Sequence, residues 1–92
     1  NLYQLNSNHD YIVLLPNPAI ENKKITVRIG TVKSKKYDCI IYDITGRKHW
    51  EQTIQTNIGV IDVTLNKQLH KGVYVLHLIN NKEKRSIKFI VN

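Results

Sequence analysis

Residue choice predicts an all-β chain, folded as an antiparallel β-sandwich of about seven strands. Ile and Val number 21 and Thr 6, against 9 for Leu, Ala and Met together. β-Branched side chains lose χ1 freedom in a helix and fit a pleated surface, and cheap helix formers are nearly missing, with Ala19 the single alanine. Apolar residues also recur with period two, which puts one face of a strand in a core and the other in water. Turn signals separate these segments at intervals of about a dozen residues.

Along the chain, Asn1 to His9 has no period and reads as a lead-in from something upstream, leaving residues 10–92 for the sandwich. Tyr11 to Leu15 is apolar on both faces, as expected of a central strand or one that meets a partner. Pro16-Asn17-Pro18 ends it, because proline cannot donate to a ladder and restricts the residue before it. Ile25, Val27 and Ile29 then alternate with Thr26 and Arg28, and Lys33-Ser34-Lys35-Lys36 makes a polar connection. Tyr37 to Tyr42 is again apolar on both faces. Asp43-Ile44-Thr45-Gly46-Arg47 reads as a hairpin loop with Gly46 available for positive φ, and His49 and Trp50 fall on another strand. Ile61, Val63 and Leu65 alternate with Asp62 and Thr64. Val73 to Ile79 has two apolar faces, Asn80 to Lys84 is a second hairpin loop, and Ile87, Phe89 and Val91 alternate with Ser86, Lys88 and Ile90. No internal repeat or low-complexity stretch appears. The run Leu69-His70-Lys71-Gly72-Val73-Tyr74 gives the sandwich an immunoglobulin-like character. In such folds a tyrosine entering the penultimate strand bonds back to backbone a few residues upstream. Tyr74 is expected in that role with Gly72 allowing the turn; an ordinary core aromatic is the alternative.

Composition narrows the chemistry. A chain of 92 residues makes one domain and leaves little room for a two-lobed enzyme cleft. No apolar run approaches the length of about 20 residues needed to span a bilayer as a helix. The lone Cys39 can form no intrachain disulfide and is expected to act as a small buried hydrophobe. Absence of methionine and of signal-peptide features in the first residues reads as a piece cut from a longer protein. Gly-x-Ser-x-Gly, His-Glu-x-x-His and glycine-rich phosphate loops are missing, and the carboxylates are scattered. His9, His49, His70 and His77 are spread over separate segments and read as strand or loop histidines. No catalytic, cofactor or metal residue is therefore assigned. The net charge of +7 raises nucleic-acid binding, with clusters at Lys33, Lys35, Lys36 and at Lys82, Lys84, Arg85. Both clusters fall in turns away from the aromatics, and 11 Lys stand against 3 Arg, the wrong bias for bidentate recognition. Nucleic acid is not expected as a partner.

Three segments, in this order, carry a resemblance. They are Leu15-Pro16-Asn17-Pro18-Ala19, then Ile41-Tyr42-Asp43-Ile44-Thr45-Gly46-Arg47, then Leu69 to Leu76 leading into a hairpin closed by Lys88-Phe89-Ile90-Val91-Asn92. Together they resemble the C-terminal sorting domain of the type IX (Por) secretion system, from about Tyr11 to Asn92. The family often ends on a basic residue where this sequence has Asn92. The resemblance implies a non-enzymatic, immunoglobulin-like address label on an upstream cargo domain, with no cofactor. It implies passage through the periplasm, recognition by outer-membrane translocon components, and delivery to the cell surface or the medium. It also implies removal by a sortase at a point in or upstream of Asn1 to His9. Pro16, Asn17, Pro18 and Gly46 would be structural motif residues.

Recognition is expected on the terminal hairpin, at Gly72, Tyr74, Lys88, Phe89, Ile90, Val91 and Asn92. Its final strand reads as a sheet edge whose unpaired backbone groups a partner could extend, with Lys88 supplying charge on the outer face. Deleting Lys88 to Asn92 should then abolish export while leaving the cargo stable. Two other readings stand beside this one: Phe89 and Val91 only complete the core, or the domain is a generic immunoglobulin-like spacer or adhesion module. An apolar edge could also pair two copies as a dimer.

Overall fold

The computed structural model describes residues 10–92, so the expected lead-in at 1–9 lies outside the described residues. The period-two segments all form strands: β1 (Tyr11–Leu15), β2 (Thr26–Thr31), β3 (Lys36–Asp43), β4 (Lys48–Gln55), β5 (Gly59–Thr64), β6 (Gly72–Ile79) and β7 (Lys84–Val91). They make a three-stranded sheet ordered β1-β2-β5 and a four-stranded sheet ordered β4-β3-β6-β7. Every ladder between named strands is antiparallel, and the described residues contain no helix. This is the immunoglobulin-like sandwich that the residue choice predicts.

The alternation fills the space between the sheets. Tyr37, Cys39 and Ile41 of β3, Trp50 and Ile54 of β4, and Tyr74, Leu76 and Leu78 of β6 face Leu14, Val27 and Ile29 of the other sheet. Val91 closes the layer from β7, and Ile87 and Phe89 pack partly buried against it. Thr56 is buried but satisfied: its hydroxyl accepts from the Lys35 N–H (2.9 Å) and donates to the Lys35 carbonyl (3.2 Å).

β3 and β6 are central, as their two apolar faces predict, but β1 is the outer strand of its sheet. Its second apolar face is used locally. Tyr11 pairs with Gly30 on β2 and lays its ring where a side chain at Gly30 would stand. After β1 the Pro16-Asn17-Pro18 segment, with cis bonds before both prolines, carries the chain across to the other sheet. There Ala19 forms a parallel bridge with Val91. The Ala19 N–H donates to the Ile90 carbonyl (3.2 Å), the Asn92 N–H to the Ala19 carbonyl (2.8 Å), and the Glu21 N–H to the Asn92 carbonyl (2.6 Å). The edge of β7, expected to be open along its length, is thus covered at its last residues. At the other end of this seam the Lys35 ammonium holds Asp10 (2.6 Å) and Glu83 (2.9 Å), tying the start of β1 to the β6–β7 turn.

Candidate functional site

Tyr74 organises one end of the sandwich. It is 4 % exposed, and its phenol donates to the His70 carbonyl at 2.7 Å, the expected tyrosine corner. Burial, then the nearby Asp43 and Glu21 charges, push the phenol's pKa up, so it stays a donor. Gly72 supports this turn with φ of 156°, a backbone state that favours glycine. The Tyr74 ring stacks on Phe89 (centroids 5.6 Å apart, 23° between planes), its partner across the β6–β7 ladder.

A register shift in the β3–β4 ladder next to Ile41 and Tyr42 leaves His49 as the extra residue between Lys48 and Trp50. Such a bulge re-aims a side chain. Here the His49 imidazole meets Tyr74 edge-on at 5.4 Å and lies 2.8 Å, through Nε2, from Asp43 Oδ2. Asp43 Oδ1 accepts from the Thr45 hydroxyl (2.6 Å), the Thr45 N–H (2.9 Å) and the Arg47 N–H (3.1 Å). The Thr45 hydroxyl first, then His49, hold the Asp43 carboxyl well below the usual carboxylate range. The turn closes with Gly46 at φ 91° donating to the Asp43 carbonyl (3.0 Å). Glu21 joins from below, accepting from the Lys71 N–H (3.2 Å) 3.6 Å from His70.

The three motif segments, far apart in sequence, therefore meet at one end. Gly72 pairs with Val91 across the ladder, Ala19 bridges Val91, and the Asp43–Arg47 turn reaches Tyr74 through His49. The expected recognition residues divide. Tyr74, Phe89 and Val91 turn their side chains inward, Val91 being 2 % exposed. Lys88 and Ile90 point to the outer face of the four-stranded sheet, Ile90 at 49 % exposure. Asn92 is exposed but its main chain is held by Ala19 and Glu21. The role of His49 is not legible in the sequence, since a bulge leaves no period; the Asp43–Thr45 spacing, typical of an Asx turn, is the signal for the carboxylate.

Main-chain groups alternate sides along a strand. Because Ile90 and Asn92 turn theirs toward Ala19, those of Lys84, Ser86 and Lys88 also face away from β6. Beside this open stretch, an apolar groove of ≈ 400 Å³ lies between β1 and β7, lined by Ile12, Leu14, Pro18, Ile87 and Phe89 among others.

Other candidates lie elsewhere. The basic clusters, separate in sequence, come together at the opposite end, where Lys33, Lys82 and Arg85 surround the Asp10–Lys35–Glu83 pairs. Cys39 is buried, and burial pushes its thiol up to about 12. Among the described residues no group of three or more His, Cys, Asp and Glu could hold a metal ion.

Comparison with known proteins bears on this geometry. No curated protein matches the chain. The family model described as a secretion system C-terminal sorting domain matches residues 13–92, which takes in all three motif segments. The chain belongs to this family, the sorting tails of the type IX (Por) secretion system, a family of sorting signals and not of enzymes.

Proposed function

We propose that this domain directs an upstream cargo protein through the type IX translocon of the outer membrane, and that the translocon reads the terminal hairpin. The cargo reaches the periplasm first and ends on the cell surface or in the medium. A sortase then removes the tail within or before residues 1–9, which lie outside the described residues. Among the proposed recognition residues, Lys88, Ile90 and Asn92 have exposed side chains, and Phe89 is half-buried along the groove. Gly72, Tyr74, Phe89 and Val91 hold the hairpin in shape, as Pro16, Asn17, Pro18 and Gly46 hold the segments around it.

The observation that carries this reading is the convergence of the family's motif segments on one end of the fold, next to a strand whose edge is partly open. An edge strand offers main-chain groups that a partner can extend by strand addition. The test is export of a reporter carrying an N-terminal signal peptide and this domain, in a host with the type IX system. Intact reporter should reach the medium or the surface. Lys88→Glu and Ile90→Asp, both outside the core, should leave it folded in the periplasm. Export that continues in a host whose type IX system is disabled would overturn the reading.

A further inference from the structure

The open part of β7 is a short, chemically defined acceptor. The Ala19 bridge covers the strand at Ile90 to Asn92, and the Lys35 clamp holds the β6–β7 turn at Glu83. Between them Lys84, Ser86 and Lys88 present their main-chain groups to the edge. At about 3.4 Å per residue this is room for an added strand of about five residues. Side chains sort by face. Lys84, Ser86 and Lys88 are exposed on the outer face, while Ile87 and Phe89 point toward the groove shared with Ile12 and Leu14. Neither Lys84 nor Lys88 makes an ion pair among the described residues, and Ser86 is hydrogen-bonded to His77 (2.8 Å).

We infer that this edge binds an extended partner strand with the alternation acidic–apolar–polar–apolar–acidic. Residues opposite each other on paired strands share a face. The acidic residues of the partner lie beside Lys84 and Lys88 and its polar residue beside Ser86; its apolar residues, opposite Arg85 and Ile87, turn to the inner face, one along the Arg85 stem and one into the groove over Ile12, Leu14 and Ile87. A second copy of this chain is the wrong occupant. Two β7 strands paired about Ser86 would set each Lys84 against the other copy's Lys88, and like charges directly opposite are destabilising. The lysines thus discourage self-pairing and select an acidic strand with the same contacts. The inference rests on the reading that the terminal hairpin is what the export machinery recognises, and it names the chemistry of the segment that reads it.

The test titrates the isotope-labelled domain with two blocked peptides, Glu-Val-Thr-Val-Glu and Lys-Val-Thr-Val-Lys, and follows backbone amide shifts. The acidic peptide should shift Ser86 and Lys88 saturably and bind about tenfold tighter than the basic one, the size of two favourable cross-strand charge pairs. The double variant Lys84→Glu/Lys88→Glu, with an unchanged melting temperature, should reverse that preference. Equal affinity for both peptides, no shift with either, or self-association through β7 would overturn the inference. These outcomes separate it from the sorting role. Peptide selectivity with export that continues when the type IX system is disabled would sink the sorting reading alone. Domain-dependent export without peptide selectivity would sink the groove alone.

Discussion

Deleting Lys88 to Asn92 looks, from sequence, like removal of a recognition tag, yet the structure makes it the removal of a structural strand end. Val91 is fully inside the sandwich and Phe89 is half-buried against Tyr74. Losing their burial costs about 2 kcal/mol for the valine and about 1.5 kcal/mol for the half-buried phenylalanine. Three main-chain bonds to the Ala19–Glu21 segment go as well, at about 1 kcal/mol each. The total of about 6.5 kcal/mol equals between about half and all of the roughly 5–14 kcal/mol expected for a domain of this size, before the lost β6–β7 ladder bonds are counted. The truncated domain should therefore lose its cooperative urea transition, followed by the fluorescence of the buried Trp50. It should also show the amide exchange of an unfolded chain. A cooperative transition with a midpoint close to that of the intact domain would refute the argument that β7 is integral to the core. Lost export after this deletion then reports folding and recognition together, whereas Lys88→Glu and Ile90→Asp separate them, each expected to change stability by no more than about 0.5 kcal/mol.

Three other outcomes are expected. Tyr74→Phe keeps the ring stacked on Phe89 but leaves the His70 carbonyl without its donor, costing about 1–2 kcal/mol, read as a lower urea midpoint at unchanged m-value. Asp10 is pulled up by burial, but its bonds from Lys35 and the Val32 N–H and the Lys35 charge outweigh this and hold it low; Arg28 holds Asp62 low, and Thr45 and His49 hold Asp43 low. The folded chain binds these protons less readily than the unfolded one. The stability they contribute is complete above about pH 4 and is lost as pH falls through the folded values, and Lys35→Gln should flatten that acid limb in a series of urea melts. Cys39, its thiol raised to about 12 by burial, should resist a thiol reagent at pH 8 in the native domain and react at the rate of global unfolding; rapid native labelling would contradict its place in the core.

The sequence determines by itself where the strands lie, which residues of each face the core and where the turns fall; it offers Tyr74 for a bond back to nearby backbone, and the structure supplies the His70 carbonyl as acceptor. These are local properties: period two, β-branching, proline's missing N–H and the positive φ at Gly46 act within a few residues. Motif order also carries the family, since it is written linearly. Tertiary structure alone decides how the strands divide between sheets, that β1 becomes an outer strand, and that Ala19 covers the end of β7. It alone makes His49 a bulge aimed at Asp43 and Tyr74, joins the two lysine clusters at one end, and leaves a groove beside Lys84 to Lys88. The physical reason is range. A strand's neighbours are chosen by packing among residues tens of positions apart, and a sheet edge exists only once every other strand has found its partner.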